Sequence, residues 1–184
     1  MATNGSTVEG RSRVPGHEIF LVWGATGWIA GHLVNLLKGD SREVFTSTVR
    51  MEEREQVREE LDRVGPTHVL VAAGCTGRPN VDWCEDHKLE TVRSNVIGTL
   101  NVVDVCAMRG IHCTVFATGC IYQYDEAHLW DGPGFVETDP PNFFGSFYSL
   151  TKAHLEEVTI SLPFTRPAFS RDDHADRLRG MSRS

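Results

Sequence analysis

A glycine-rich segment, Gly24 to Gly31, directly follows the apolar run from Glu18 to Trp23 and precedes a stretch with helical periodicity. This order predicts a buried strand, a tight turn and a helix. Glycines at such a turn let backbone N–H groups approach a pyrophosphate, and the helix N-terminus adds favourable charge. We therefore predict a dinucleotide-binding turn, with an ordinary strand-to-helix turn as the alternative. The candidate cofactor contacts in this turn are Gly24, Thr26, Gly27, Trp28 and Ile29.

Further apolar runs alternate with segments of helical periodicity along the chain. Such alternation predicts βαβ units, which build a parallel sheet through right-handed crossovers. We therefore predict an α/β fold with a parallel sheet. In the first helix, Ile29, Leu33 and Leu36 are expected to form the apolar face. The predicted strands are 18–23, 43–48, 67–73 and 111–117, and the predicted helices are 27–38, 52–64, 87–109 and 148–158.

Both ends of the chain differ in composition from its middle. Residues 1–16 are small and polar without the apolar core of a signal peptide, so we expect a disordered leader. Residues 161–184 contain five arginines but no lysine or glutamate, and they show no clear period. We expect an irregular Arg-rich tail there. One NAD(P)-binding domain over residues 17–160 is the predicted organisation.

Charge and cysteine content exclude several classes of protein. The 184 residues include 18 Lys and Arg against 25 Asp and Glu, a net charge of −7, which argues against a nucleic-acid partner. No apolar run approaches the ~20 residues that span a membrane. Five cysteines without an export signal indicate free thiols and a cytoplasmic protein. Cys84 and His87 have metal-like spacing but no second ligand pair, so no metal is expected.

The end of the second predicted strand distinguishes between the two nicotinamide cofactors. NAD-binding proteins place an acidic residue there for the ribose 2′-hydroxyl. This chain has Ser47, Thr48, Val49 and Arg50 instead. A guanidinium group pairs well with a 2′-phosphate, so NADP is predicted, with NAD less expected and a solvated Arg50 as the alternative.

A Tyr-x-x-x-Lys spacing, Tyr148 to Lys152, lies at the start of the last predicted helix. This spacing puts both side chains on one helical face, and a nearby ammonium group is expected to lower the pKa of the tyrosine. Tyr148 could then exchange a proton with a substrate oxygen, and Thr118 could hydrogen-bond to the same oxygen. Further cofactor contacts are expected at the end of the third strand and on the following helix: Ala72, Ala73, Gly74 and Asn95.

Together these motifs make the chain similar to the extended short-chain dehydrogenases/reductases. It especially resembles the nucleotide-rhamnose synthase/epimerase-reductase group, the C-terminal half of plant rhamnose synthases. The resemblance covers about residues 18–158. The segments that carry it are Trp23-Gly-Ala-Thr-Gly-Trp-Ile-Ala-Gly31, Thr76-Gly-Arg-Pro-Asn-Val-Asp-Trp-Cys-Glu85, Ala117-Thr-Gly-Cys-Ile-Tyr122 and Pro141-Asn-Phe-Phe-Gly-Ser-Phe-Tyr-Ser-Leu-Thr-Lys152.

The resemblance implies NADPH-dependent 4-reduction of a nucleotide-linked 4-keto-6-deoxyglucose, coupled to 3,5-epimerisation. Thr118, Tyr148 and Lys152 are then expected to carry the reduction. Cys120 is the expected acid or base of the epimerisation, with a small buried thiol as the alternative. The nucleotide, UDP or dTDP, stays open, as does a homodimer. The candidate substrate contacts are Thr76, Arg78, Asn80 and Asn142, although Arg78 and Asn80 could instead cap a helix.

The chain also departs from the pattern of that group. Ala30 replaces the third glycine of the turn, Val71 replaces the usual asparagine, and Leu150 stands where relatives often have a basic residue. The relatives continue beyond Val158 into a C-terminal lobe that binds the nucleotide-sugar. The resemblance therefore implies a Rossmann-like doubly wound parallel sheet with strand order 2-1-3-4 that is incomplete at the C-terminus. We expect a chain truncated before that lobe, with impaired catalysis. The alternatives are a non-catalytic dinucleotide-binding or regulatory protein and an inactive truncated gene product.

Overall fold

The computed structural model describes residues 17–162, and the predicted leader and most of the predicted tail lie outside this range. Four parallel strands form one sheet in the order β2-β1-β3-β4, which confirms the predicted order. In the register of the sheet, Trp23 pairs with Ser47 on one side and with Val71 on the other. The carboxyl ends of these strands therefore meet at one edge. The strands are β1 Ile19–Trp23, β2 Glu43–Ser47, β3 His68–Val71 and β4 His112–Val115.

Helices connect successive strands, as the parallel sheet requires. The predicted helix 87–109 consists of two α-helices joined by a π-helical turn, Val92–Ile97, which the sequence did not indicate. The short helix Trp83–Asp86 was also not predicted and lies between the predicted strand 67–73 and the predicted helix 87–109. The α-helices are α1 Trp28–Gly39, α2 Arg54–Val64, α3 Trp83–Asp86, α4 Lys88–Thr91, α5 Gly98–Met108 and α6 Phe147–Ile160, and a 3₁₀ turn spans Gly119–Ile121.

Apolar side chains cover both faces of the sheet, as in a doubly wound fold. On one face, α2 and α5 pack over β1, β3 and β4. On the other face, α1 packs over β1 and β3 through a smaller cluster. The larger cluster includes Leu21, Val57, Leu61, Val69 and Val102, and the smaller one consists of Val22, Ala30, Val34 and Leu70 with partly buried neighbours.

The predicted apolar face of α1 is partly wrong. Ala30 and Val34 are the buried residues of this helix, whereas Ile29 and Leu36 are 45% and 63% exposed. Both sets satisfy helical spacing, so periodicity alone could not choose between them. The close approach of the glycine turn to the sheet favours the set with the small residue Ala30.

Helix α6 packs against the π-helical turn, the 3₁₀ turn, α3 and α5. Its first turn therefore lies near the carboxyl edge of the sheet, beside the segment that follows β4. Strand β4 is the last strand of the sheet and pairs only with β3 among the described residues. No helix among residues 17–162 is long and apolar enough to cross a membrane.

Candidate active site at the carboxyl edge of the sheet

The turn after β1 is fixed by a backbone contact that only glycine allows. Gly24 has a φ of 88°, and a Cβ atom there would lie 2.7 Å from the backbone nitrogen of Ala73. The amide of Gly27 donates a 2.8 Å hydrogen bond to the carbonyl of Gly24 and closes the turn. The ends of β1 and β3 thus touch through their backbones, as the predicted cofactor turn requires.

Helix α1 begins directly after this turn with an open N-terminus. Gly27 is its N-cap, no side chain makes a capping hydrogen bond, and its first turn contains no acidic residue. The first amides of a helix lack intrahelical acceptors and carry partial positive charge, so they suit an anion. Thr26, Trp28 and Ile29 are exposed around this end. The geometry fits a pyrophosphate group on the backbone of the predicted turn.

The end of β2 presents Arg50 to solvent. Its side chain is 75% exposed and pairs with Glu52 at 2.5 Å. The neighbouring Ser47 is 5% exposed, and its hydroxyl accepts a hydrogen bond from the amide of Val49. At the end of β2, Thr48 and Arg50 are therefore exposed, whereas Ser47 is buried.

The loop after β3 is held by Asn95 from the π-helical turn. The Asn95 side chain is 1% exposed, accepts a 2.6 Å hydrogen bond from the Cys75 amide and donates a 2.8 Å bond to the Cys75 carbonyl. This pairing fixes the path of the chain just after Ala72, Ala73 and Gly74. The predicted cofactor residue Asn95 thus shapes the loop, and its amide group is already hydrogen-bonded.

The segment from Thr76 to Asp82 packs closely on α3. Gly77 has a φ of 71°, and a Cβ atom there would lie 2.4 Å from Cβ of Trp83. The Trp83 ring stacks on the His87 ring at 3.8 Å, and His87 Nδ1 lies 2.9 Å from the Trp83 carbonyl. The predicted substrate contacts Thr76, Arg78 and Asn80 are exposed on this segment.

Asn80 caps the turn that leads into α3, because its side-chain oxygen accepts a hydrogen bond from the Asp82 amide at 3.0 Å. Cys84 is buried and His87 is occupied by its stacking and hydrogen bond. Among residues 17–162, no group of His, Cys, Asp and Glu side chains could hold a metal ion.

Tyr148 and Lys152 lie on successive turns of α6 and are 6% and 7% exposed. Burial raises the pKa of Tyr148, and its hydrogen bond with the Thr118 side chain opposes this shift. Burial also lowers the pKa of Lys152, with the Glu156 carboxylate acting in the opposite direction. The expectation that Lys152 lowers the tyrosine pKa is wrong for this structure, because burial has the larger effect on both groups.

Cys120 is the only exposed residue among the chain's five cysteines, all of which are free. It lies in the 3₁₀ turn, where its amide donates a 3.2 Å hydrogen bond to the Thr118 hydroxyl. Its carbonyl accepts a 2.7 Å bond from the hydroxyl of Ser149 on α6. The structure therefore brings three predicted catalytic residues together: the Thr118 hydroxyl accepts from the Cys120 amide, and Ser149, which follows Tyr148 on α6, donates to the Cys120 carbonyl.

Sequence reasoning missed the residues that support this arrangement. Ser146 is the N-cap of α6 and accepts a 3.0 Å hydrogen bond from the Ser149 amide. Glu85 of α3 accepts a 2.6 Å hydrogen bond from the amide of Phe147. A serine just before a predicted helix is a capping signal that could have identified Ser146. No local pattern links Glu85 to a helix that begins 62 residues later.

The loop between the 3₁₀ turn and α6 is closed by Asn142. Its side chain accepts a 2.8 Å hydrogen bond from the Gln123 amide and donates a 3.0 Å bond to the Gln123 carbonyl. Within this loop, His128 Nδ1 lies 2.9 Å from a carboxylate oxygen of Asp125, and His128 Nε2 lies 3.5 Å from one of Asp139. The predicted substrate contact Asn142 therefore joins the two ends of this loop.

A cavity of about 370 Å³ lies between β4, this loop and α6. Thr118 and Lys152 line one part of it. Tyr122 and Glu156 line another part, where burial and the nearby carboxylates raise the pKa of Tyr122 to about 12. Burial also raises the pKa of Glu156. Of the four predicted catalytic residues, Thr118 and Lys152 border this space, whereas Cys120 and Tyr148 do not line it.

The parallel sheet with helices on both faces and the glycine turn after β1 define a Rossmann-like α/β domain. Residues 20–162 match the model of the NAD dependent epimerase/dehydratase family, and the chain belongs to this family. It is thereby a member of the extended short-chain dehydrogenases/reductases, as the sequence predicted.

Two relatives from Arabidopsis thaliana match over 140 residues, or 76% of this chain. A bifunctional dTDP-4-dehydrorhamnose 3,5-epimerase/dTDP-4-dehydrorhamnose reductase is 49% identical, and the match covers 46% of its length. A trifunctional UDP-glucose 4,6-dehydratase/UDP-4-keto-6-deoxy-D-glucose 3,5-epimerase/UDP-4-keto-L-rhamnose-reductase is 50% identical, with 21% of its length covered. The chain thus spans less than half the length of these relatives.

A solved structure is also similar, that of the L780 UDP-rhamnose synthase from Acanthamoeba polyphaga mimivirus. It is 31% identical with a TM-score of 0.69, and the match covers 78% of this chain and 52% of that chain. The predicted resemblance to rhamnose synthases is therefore confirmed.

Proposed function

We propose that this chain carries the cofactor-binding and proton-transfer half of a 3,5-epimerase/4-reductase that acts on a nucleotide-linked 4-keto-6-deoxyglucose. The observation that carries the proposal is the convergence of Thr118, Cys120 and Tyr148 at the carboxyl edge of the sheet, where Cys120 is bonded to the Thr118 hydroxyl and to Ser149, the residue after Tyr148. The relatives named for these two reactions, at about half sequence identity, support the same assignment.

NADP is the proposed cofactor. Its pyrophosphate would lie on the backbone of the turn from Gly24 to Gly27 and at the N-terminus of α1. Its 2′-phosphate would pair with Arg50, whose bond to Glu52 is an exposed ion pair and therefore weak. Ala72, Ala73, Gly74 and the loop fixed by Asn95 would border the adenosine side. When bound in reduced form, the cofactor supplies the hydride for the C4 carbonyl.

The proposed roles of the catalytic residues follow from their chemistry. Tyr148 donates its phenolic proton to the C4 oxygen during reduction, and Thr118 hydrogen-bonds to that oxygen. Lys152, one turn further along α6, is proposed to hold the ribose of the cofactor. Because the C4 ketone acidifies the hydrogens on C3 and C5, Cys120 can exchange a proton with one ring face, and a second acid or base serves the other. Thr76, Arg78 and Asn80 are proposed to contact the substrate.

This proposal includes a single domain over residues 17–160. It also includes a cytoplasmic location, and the free thiols support that location. The proposed partner is the nucleotide-sugar. We propose no nucleic-acid partner and no membrane partner.

The cofactor assignment is tested by fluorescence titration of the chain with NADPH and NADH. We expect tighter binding of NADPH, and Arg50→Ala should remove most of this preference because the 2′-phosphate loses its guanidinium partner. Glu52→Gln is the matched control, since it frees Arg50 and should keep or increase the preference. Equal affinities for the two cofactors, or an unchanged ratio in Arg50→Ala, would contradict the assignment.

The chemical roles are tested in a chimera in which residues 18–158 replace the matching part of the bifunctional Arabidopsis relative. Tyr148→Phe should abolish NADPH oxidation but leave deuterium exchange from solvent at C3 or C5. Cys120→Ala should abolish or slow this exchange, since the two steps use different protons. A chimera that binds NADPH but performs neither step would favour a non-catalytic role, and intact exchange in Cys120→Ala would make Cys120 a packing residue.

A further inference from the structure

Ser149 of α6 is hydrogen-bonded to the backbone of the Cys120 turn. Its side chain is 1% exposed, and its hydroxyl lies 2.7 Å from the Cys120 carbonyl. A carbonyl can only accept, so the Ser149 hydroxyl must donate this bond. The hydroxyl then accepts from Ser146, at 2.9 Å, and Ser146 in turn accepts from the Ser149 amide, at 3.0 Å. The direction of every bond in this network is fixed by chemistry.

Cys120 is held on both sides of its backbone by this arrangement. Its amide donates to Thr118, and its carbonyl accepts from Ser149. The residue belongs to a three-residue turn and is exposed, so few packing contacts keep it in place. Because Ser149 directly follows Tyr148, its bond ties the backbone of Cys120 to the helical turn that carries the tyrosine.

We propose that Ser149 is a positioning residue that sets the place of the Cys120 thiol relative to Tyr148. The inference rests on the proposed function, in which Cys120 and Tyr148 move different protons of one substrate. Such roles require both groups to be held at fixed distances from one sugar ring. The bond from the Ser149 hydroxyl to the Cys120 carbonyl holds the two groups directly. The capping bond between Ser146 and the Ser149 amide lies within α6 and would not hold the Cys120 turn.

Thr151 provides the matched control. It is also a nearly buried hydroxyl residue of α6, 8% exposed, but its hydroxyl donates to the Tyr148 carbonyl within the helix. Ser149→Ala and Thr151→Ala each remove one such hydroxyl from the same helix. Only Ser149→Ala removes the bond to the Cys120 turn.

The first measurement is amide hydrogen exchange of residues 119–122 in the full chain without cofactor. Ser149→Ala should accelerate this exchange about fivefold, the equilibrium effect of losing one ordinary net hydrogen bond. Thr151→Ala should leave the rates unchanged, and Ser149→Thr should restore them. Equal acceleration in the two alanine variants would reflect general loosening of α6 and would overturn the proposal.

The second measurement is the alkylation rate of Cys120 by iodoacetamide, followed by mass spectrometry. A freer turn exposes the thiol in more orientations, so Ser149→Ala should react faster than the wild type and Thr151→Ala should match it. If Ser149→Ala does not fold, Ser149→Cys keeps the side-chain size with a much weaker donor and should give the same result in the exchange measurement. Wild-type rates in both measurements for a folded Ser149 variant would overturn the proposal.

Neither measurement needs cofactor or substrate. A failed NADPH titration therefore leaves the positioning role of Ser149 to be judged on its own. Conversely, unaltered exchange and alkylation in Ser149→Ala would leave the proposed cofactor and reactions intact.

Discussion

Two turns at the carboxyl edge of the sheet, one after β1 and one after β4, are held in place by opposite means. The first depends on the absence of a side chain, because Gly24 lies against the backbone of Ala73. The second depends on side-chain hydroxyls, because Thr118 and Ser149 hold the backbone of Cys120. The first turn should therefore be damaged by added atoms, and the second by the loss of single polar atoms.

The difference suits what each turn is proposed to do. A pyrophosphate is recognised by backbone amides, so the turn after β1 needs a fixed backbone path and no particular side chain. Proton transfer needs a side chain at a defined place, so the turn after β4 must hold Cys120 while leaving it exposed. Three predictions, from the largest effect to the smallest, test this contrast.

Gly24→Ala should have the largest effect. The new Cβ atom would contact backbone atoms at 2.7–2.8 Å, and the φ of 88° is unfavourable for alanine. We expect a loss of about 2–5 kcal/mol in the free energy of unfolding, together with loss of NADPH binding. Urea unfolding and cofactor titration measure the two effects.

Gly31→Ala is the control for this prediction, because a Cβ atom at that helical position meets nothing within 4 Å. It should raise stability by about 0.5–1 kcal/mol through helix propensity. Similar behaviour of the two variants would show that the contact with Ala73 does not fix the turn.

Ser146→Ala should have an intermediate effect. It removes the N-cap of α6 and the group that donates to Ser149, which should cost about 1 kcal/mol in thermal or urea unfolding. Ser161→Ala at the other end of the helix removes an exposed hydroxyl bonded to the Glu157 carbonyl, and it should change stability by less than about 0.5 kcal/mol. If both variants lose the same stability, the first turn of α6 has no special role.

Lys152→Met should have the smallest effect, in the stabilising direction. Burial lowers the pKa of this lysine, so keeping it charged at neutral pH is unfavourable, and the variant should gain up to about 1 kcal/mol. Because the pKa of Lys152 is lower in the folded state than in the unfolded state, the folded state binds fewer protons than the unfolded state between these two pKa values. Wild-type stability relative to the variant should therefore rise as the pH increases through the folded pKa towards the unfolded value.

Paired urea unfolding curves at neutral and alkaline pH measure this difference. The exposed residue Lys38 offers the control Lys38→Met, which should show no gain in stability at neutral pH. A loss of stability in Lys152→Met at neutral pH would mean that the charge is compensated in the folded protein.

Patterns local in sequence predicted much of this molecule. The parallel sheet followed from the alternation of strands and helices, and the placement of Tyr148 and Lys152 on one helical face followed from their spacing. The predicted core face of α1 was partly wrong because two stripes share the same period, and the balance of forces on the Tyr148 pKa needed the extent of burial. Contacts such as Glu85 with the Phe147 amide join distant segments, so no local pattern could reveal them.

Asn142 has a consequence for how this chain tolerates changes in length. The Asn142 side chain is hydrogen-bonded to both the amide and the carbonyl of Gln123, so the two ends of the loop 123–142 are held together. The path of the chain into α6 therefore does not depend on the length of this loop. Extra residues at the exposed loop tip, around Trp130, should leave that path unchanged, because doubling a loop adds only about 0.6 kcal/mol of closure entropy. This tip is therefore a natural point for inserting a peptide tag or grafting a binding loop while the helix of Tyr148 stays in place.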